Sequence, residues 1–323
     1  MNRRRLGRTA VQVTELGLGT APLGNLYAPV ADDDAAATVD AAWDAGVRYF
    51  DTAPHYGLGL AESRLGKALA GRPRDAFTVS TKVGRLLVPN PAPTGSDLER
   101  NLFAVPDDLV RRSDYSADGV RRSLESSLRR LGLDRVDVVL VHDPDRHLEQ
   151  AITEAIPALV ALREEGVVGA VGVGMNQWEA ELAVVRRCDV DAVMLAGRWT
   201  LLDRGGEPLL AECAARGVSV LAAGPFNSGL LARPEPPDDA TFDYLPAPAA
   251  AVARARELAV ELRPHGVELP QAALQFPLRH PAVACVLTGL RTPAEVAAAA
   301  ARLAAPVPDA AWAAVESDRR ALE

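Results

Sequence analysis

The chain predicts a closed (β/α)8 barrel, and three observations carry that expectation. Short β-branched or apolar runs alternate along its 323 residues with longer Ala-, Leu- and Arg-rich stretches of helical period, the pattern of parallel strands joined by crossover helices. Eight runs and eight stretches can be counted, which suits a closed barrel better than an open, doubly wound sheet. Three of the runs end near Asp51, Lys82 and His142, polar residues at strand C-termini, the face where barrels carry their sites. A barrel uses about 250 residues or more as one unit, so 1–323 reads as a single domain.

Taken in order, residues 4–13, with Gly7 and Arg8 at a turn, are expected to form a small hairpin closing the barrel floor. Strands are expected at 15–19, 48–51, 77–81, 136–141, 167–173, 192–196, 218–222 and 284–287. Helical patterns occupy 33–44, 62–69, 116–131, 148–164, 177–186, 208–216, 249–262 and 293–303. Thr292 supplies an N-cap before Pro293 at the first helical position, and Gly46, Gly132, Gly166, Gly217 and Gly266 stand where helices should end. Residues 310–322 read as an extra C-terminal helix. Two stretches, 83–115 and 224–248, are long irregular loops after strand C-termini, and a binding role is expected of both.

Composition narrows the partners. With 48% hydrophobic and 24% charged residues the chain can bury a large core, and disorder is not expected outside loops. A net charge of −8 argues against nucleic acid and anionic membrane surfaces, which select basic faces. Arg3, Arg4 and Arg5 lack a following apolar region and do not open a signal peptide, and no run approaches the roughly 20 apolar residues of a membrane span, so a cytoplasmic protein is expected. Cys188, Cys213 and Cys285 are odd in number and far apart, which indicates neither disulfides nor a zinc site; no metal is expected.

The chemistry lies in FDTAPHYG at 50–57, STKV at 80–83 and LVHDP at 140–144. Parallel strands lie about 4.8 Å apart, so Asp51, Tyr56, Lys82 and His142 should converge on one barrel face. A phenol has a pKa near 10 and is a poor base at neutral pH; a lysine ammonium nearby stabilises the phenolate and lowers that value. Asp51 would hold Lys82 charged, and His142 would hydrogen-bond a substrate oxygen. Such a site suits proton transfer to or from an alcohol or carbonyl, on a small molecule, and needs a cofactor to carry the hydride.

These residues, with ESRLG at 62–66, GPF at 224–226, GLR at 289–291, RLGR at 5–8 and LGLGT at 16–20, resemble the aldo-keto reductases over essentially the whole chain. The resemblance implies a (β/α)8 barrel with a nicotinamide dinucleotide across the strand C-termini, Tyr56 as acid/base tuned by Lys82 and Asp51, and His142 orienting the substrate oxygen. PHYGLGL at 54–60, VHDPD at 141–145, GVGMN at 172–176 and ALQFPL at 273–278 are similar to the D-threo-aldose 1-dehydrogenase group, which includes L-fucose dehydrogenases and relatives acting on L-galactose or pyridoxal. That likeness implies oxidation of a sugar C1 hydroxyl to the lactone with NAD. A general NADPH aldehyde or ketone reductase and a redox-sensing cofactor-binding subunit are the rival readings.

The cofactor contacts implied are Gly19 and Thr20 after the first strand, Asn176 at the carboxamide, Trp199 under the nicotinamide, the amides of Phe226, Asn227, Ser228 and Gly229 at the pyrophosphate, and Gly289, Leu290, Arg291 and Glu295 at the adenosine end. Trp199 as core packing and Glu295 as a first-turn helix carboxylate are the alternatives at those two positions. Glu295 stands where many NADPH users are cationic, which favours NAD, with NADP possible. His55, Tyr27 and Trp199 are the expected substrate contacts.

Overall fold

A computed structural model describes residues 1–316 of the chain, and eight of its strands close into a parallel barrel. They are β1 (Leu16–Gly19), β2 (Tyr49–Asp51), β3 (Thr78–Val83), β4 (Val138–His142), β5 (Ala170–Met175), β6 (Ala192–Ala196), β7 (Ser219–Ala223) and β8 (Val283–Gly289). Neighbours in sequence are neighbours in space, and β8 closes on β1. Helices α1 (Asp32–Asp44), α2 (Leu60–Leu69), α3 (Ala117–Leu131), α4 (Ile156–Glu164), α5 (Trp178–Arg187) and α6 (Glu207–Arg216) follow β1 to β6 in turn. A π turn at Ala151–Ala155 leads into α4, so the single helix expected over 148–164 is bulged.

Register decides which residues share the lumen. Asp51 pairs with Ser80, Lys82 with Leu140, and His142 with Gly174. Paired residues in a parallel ladder face the same way and side chains alternate along a strand, so Asp51, Ser80, Lys82, Leu140 and His142 all point inward. The apolar part of the lumen is filled by Tyr49, Val138, Leu140, Met194, Leu221 and Cys285. Strands Arg3–Arg5 and Gln12–Thr14 pair antiparallel, and Leu6 and Val13 of this hairpin join that cluster, closing the floor as expected. The alternate residues, among them Leu18, Phe50, Val79, Val139 and Val141, pack outward against the helices.

Four expectations are corrected. Most strands lie one to three residues downstream of the predicted spans, because backbone pairing starts only where both neighbours are extended. Segment 83–115 is not irregular: Arg85–Pro89 and Leu109–Ser113 form a five-residue antiparallel hairpin, with a helical turn at Leu98–Asn101 between them. Segment 224–248 contains a 3-10 turn at Asn227–Gly229 and a two-residue ribbon pairing Thr241–Phe242 with Leu245–Pro246.

The fourth correction concerns α7 (Ala249–Leu262), which the sequence assigns to the barrel ring. The ring position is taken instead by α8 (Leu269–Gln275), which packs on α9 (Pro293–Ala304), itself packed on α1. Helix α7 packs against α10 (Asp309–Glu316), and the two bury Leu258, Leu262, Trp312 and Val315 in a second apolar cluster with Leu201, Leu202, Leu230 and Leu231. The part of the expected C-terminal helix at 317–322 lies outside the described residues.

Candidate active site

Lys82 is the hub of the site. Its Nζ donates to Asp51 Oδ2 at 2.7 Å, to the Thr52 carbonyl at 3.2 Å and to the Tyr56 hydroxyl at 2.9 Å. Asp51 Oδ1 accepts from Ser80 at 2.7 Å, and Ser80 is in turn hydrogen-bonded to Tyr49 at 2.9 Å. Asp51 and Lys82 are buried, whereas Tyr56 is partly open at the mouth. The His142 ring stands edge-on to Tyr56 with centroids 5.9 Å apart, and His55 stands edge-on to His142 at 5.6 Å. The four expected polar residues and His55 therefore meet at one place.

The chain places Tyr56 by backbone contact rather than by a regular element. The loop after β2 turns at Gly57, whose φ of 61° and distance of 2.3 Å from an added Cβ to the Gly24 carbonyl oxygen exclude any larger residue. Thr20, at the end of β1, uses its hydroxyl and amide on the Asp51 carbonyl, both at 2.9 Å, which fixes the β1 and β2 ends together. Glu62, fully buried in the first turn of α2, accepts from Thr81 Oγ1 at 2.8 Å and from Arg130 Nε at 2.5 Å, holding β3 beside Lys82.

The electrostatics correct one expectation. Burial pushes the Tyr56 phenol up to about 12, Lys82 pulls it down and Asp51 pushes it up, so the ammonium limits the rise without producing a net acidification. Burial works against the Lys82 charge, yet Asp51 and Tyr56 outweigh it and hold the ammonium firmly protonated. Burial, with Arg85, Lys82, His55 and Arg111 adding to it, holds the His142 imidazole well below its usual range, so the ring is neutral at pH 7. His55 is depressed by burial, Arg85, Arg111 and Lys82 in the same way. Two neutral imidazoles and a protonated phenol thus line the mouth, each able to hydrogen-bond an oxygen without carrying charge.

Sequence reasoning missed two charged groups beside these rings. Asp143, with φ of 40°, takes a left-handed conformation directly after His142, and its Oδ2 lies 3.5 Å from His142 Nε2. Arg85, from the hairpin after β3, donates to the same carboxylate oxygen at 2.7 Å. The Tyr115 hydroxyl donates to the carbonyls of both His142 and Asp143 at 2.8 Å, locking the turn. The aspartate was visible in HDPD, but its pairing across 58 positions was not. Tyr244, at the tip of the ribbon, also reaches the mouth: burial raises the Tyr27 phenol to about 12, and Tyr244 adds to the rise. Asp243 anchors that tip through two contacts with Arg198, at 2.9 and 2.7 Å.

Of the expected cofactor contacts, Gly19 and Gly289 pair side by side at the ends of β1 and β8, with Leu290 following. Asn176 donates to the Ala196 carbonyl at 3.2 Å, which leaves its own carbonyl oxygen for a carboxamide N–H. In the turn after β7, the amides of Asn227 and Gly229 donate to the Gly224 and Phe226 carbonyls, so those of Phe226 and Ser228 are left for an anion, a smaller cradle than expected. The buried Asn227 Oδ1 has no partner there, an orphaned acceptor that a bound ribose hydroxyl or amide would satisfy. This donor set fits a nicotinamide dinucleotide.

At two positions the contacts within the chain are those offered above as alternatives. Trp199 packs tilted on Phe276 at 5.4 Å and stands edge-on to His280 at 5.6 Å, within the packing between the barrel and the second apolar cluster. Glu295 accepts from the Arg291 amide at 2.6 Å while Thr292 caps the Glu295 amide at 3.2 Å, which makes it a capping carboxylate of α9. The Arg291 guanidinium donates to the Leu26 carbonyl. Among the described residues no group of three His, Cys, Asp or Glu is placed to hold a metal, and no helix is long and apolar enough to cross a membrane.

A barrel with a Tyr–Lys–Asp–His constellation at its mouth defines an oxidoreductase of CH–OH groups, and residues 15–319 match the family model of the aldo/keto reductases, the family to which the chain belongs. Members of that family use nicotinamide cofactors and small-molecule substrates. Within it the chain is 47% identical to a D-threo-aldose 1-dehydrogenase of a Pseudomonas species, over 93% of this chain and 92% of that one. It is 41% identical to a pyridoxal 4-dehydrogenase of Microbacterium luteolum, over 98% and 97%. Among solved structures, the holo form of an aldo-keto reductase from Bacillus halodurans superposes with a TM-score of 0.78 at 27% identity, covering 100% of this chain and 98% of the other.

Proposed function

We propose that the protein is an NAD-dependent aldose 1-dehydrogenase of the cytoplasm, oxidising the C1 hydroxyl of a cyclic sugar of the L-fucose, D-arabinose or L-galactose type to its lactone. The observation that carries this reading is the 2.9 Å contact between Lys82 Nζ and the Tyr56 hydroxyl, beside the uncharged rings of His55 and His142. NAD bound across the strand ends supplies the hydride acceptor. Tyr56 takes the proton of the C1 hydroxyl, Lys82 stabilises the phenolate form that accepts it, and Asp51 keeps Lys82 charged and aimed. Neutral His142 orients the C1 oxygen. His55, Asp143 and Tyr27 are assigned to the remaining sugar hydroxyls. Asn176 is assigned to the carboxamide, Phe226 and Ser228 to the pyrophosphate, and Gly19, Gly289 and Leu290 to the walls of the cofactor groove.

The preference for NAD rests on charge. The Glu295 carboxylate repels a ribose 2′-phosphate, and Arg291, which would offset it, is drawn to the Leu26 carbonyl. Oxidation of pyridoxal is the second reading, favoured by the 41% identity to the pyridoxal enzyme. Initial rates with L-fucose, D-arabinose, L-galactose, pyridoxal and an aromatic aldehyde, each with NAD(H) and NADP(H), separate these readings. The expected result is highest kcat/KM for an aldose with NAD; faster reduction of the aromatic aldehyde with NADPH would overturn the proposal.

A further inference from the structure

A second concavity lies outside the barrel, between the hairpin Arg85–Pro89/Leu109–Ser113 and helix α3, and encloses about 230 Å³. Five arginines line it, Arg85, Arg112, Arg122, Arg129 and Arg130, with Glu125 the acid among the lining residues. Three of the arginines have carboxylate partners: Arg85 with Asp143 at 2.7 Å, Arg122 with Asp114 and Asp118 at 2.7 and 2.8 Å, and Arg130 with Glu62 at 2.5 Å. Arg112 and Arg129 have no acidic side chain within ion-pair distance among the described residues. The carboxylates around the cavity, Glu125 included, balance the arginines in number, but Arg112 and Arg129 are left with guanidiniums that no ion pair engages.

A second observation is independent of those guanidiniums. Ser123, on the cavity wall, is 2% exposed, and its hydroxyl has no hydrogen-bond partner. A buried hydroxyl left unmatched is costly, and an oxygen acceptor entering the cavity would satisfy it. Guanidinium forks together with a hydroxyl donor match the oxygens of a phosphate, which is mostly doubly charged at neutral pH.

We propose that this cavity binds phosphate, free or as a small phosphomonoester, and that occupancy is felt at the active site through Arg85. Arg85 belongs to both places, lining the cavity and donating to Asp143, the residue that follows His142. A phosphate that draws the guanidinium toward the cavity weakens its hold on Asp143, which shifts KM for the alcohol while leaving kcat in place. The binding half of this inference does not depend on the substrate reading above.

The test is calorimetric titration of the NAD-saturated full-length enzyme with inorganic phosphate and with glycerol 2-phosphate, with potassium chloride matching ionic strength. NAD saturation removes the cofactor's own phosphate subsites from the measurement. Saturable binding of either ligand is expected, weakened about tenfold or more in Arg112→Gln/Arg129→Gln and by a smaller factor in Ser123→Ala. Tighter binding of the ester assigns the site to phosphomonoesters, and tighter binding of the ion assigns it to free phosphate. Absence of binding at tens of millimolar, or equal affinity in the double variant, overturns the site. KM for the preferred alcohol should shift with phosphate in the wild type and stay constant in the double variant, whose basal kcat/KM is unchanged; a phosphate-independent KM in the wild type overturns the coupling through Arg85.

Discussion

At the scale of single residues, Lys82 carries two opposing demands. Its ammonium is buried against Asp51, where an unpaired charge is costly, and it also faces the one phenol that must lose a proton. Lys82→Met would leave Asp51 charged and alone, which we expect to lower unfolding free energy by about 3–5 kcal/mol, with Asp51→Asn/Lys82→Met recovering much of it. Urea unfolding of both variants checks this, and equal stability of the single variant and the wild type would contradict the burial argument. The phenol makes a pH prediction. With Tyr56 raised to about 12, the phenolate fraction grows as pH rises toward that value, so kcat/KM for oxidation should climb about tenfold per unit from pH 7 to 9. His142, held well below its usual range, should add no bend between pH 6 and 8. A pH profile that is level above 7 would contradict this assignment.

Among the elements, the barrel strands were legible because they are short β-branched or apolar runs between longer stretches of helical period, and because their polar ends stand out against those runs. Asp51, Lys82 and His142 could be brought together from that pattern alone. The hairpin after β3 was not legible: its strands are separated by the 19 residues between Pro89 and Leu109, so no short turn signal joins them. Helix α8 was hidden because it is seven residues long, holds Pro270 in its first turn and is flanked by Gly266 and Pro277, which read as loop. The packing of Trp199 on Phe276 was not legible either, because the two lie 77 positions apart, at a distance no local pattern spans. Tyr56 itself depends on the close approach of two loops at Gly24 and Gly57. Gly57→Ala should force these loops apart, cost about 1–3 kcal/mol in stability and lower kcat/KM by about 10- to 100-fold by displacing the phenol. Melting curves and initial rates test this together; wild-type activity would show that the contact does not position Tyr56.

On the scale of the whole molecule, two apolar clusters divide the labour. The barrel and its ring of helices hold the strand ends in register, and the outer cluster of α7 and α10 anchors Leu201, Leu202, Leu230 and Leu231, which lie in the segments after β6 and β7. The segments after β6 and β7 are therefore anchored separately from the strand ends that carry the tetrad. Net charge was readable from composition, whereas the balance of charge and burial at Tyr56 needed the folded lumen. The central claim is that the Tyr56 oxygen is the proton acceptor for hydride loss from the substrate carbon. Single-turnover oxidation by NAD-loaded Tyr56→Phe, followed by nicotinamide absorbance alongside NAD affinity, tests it most directly. The account predicts a loss of about 10²–10⁴-fold in the hydride-transfer rate with NAD affinity unchanged, and hydride transfer at the wild-type rate in that variant would contradict it.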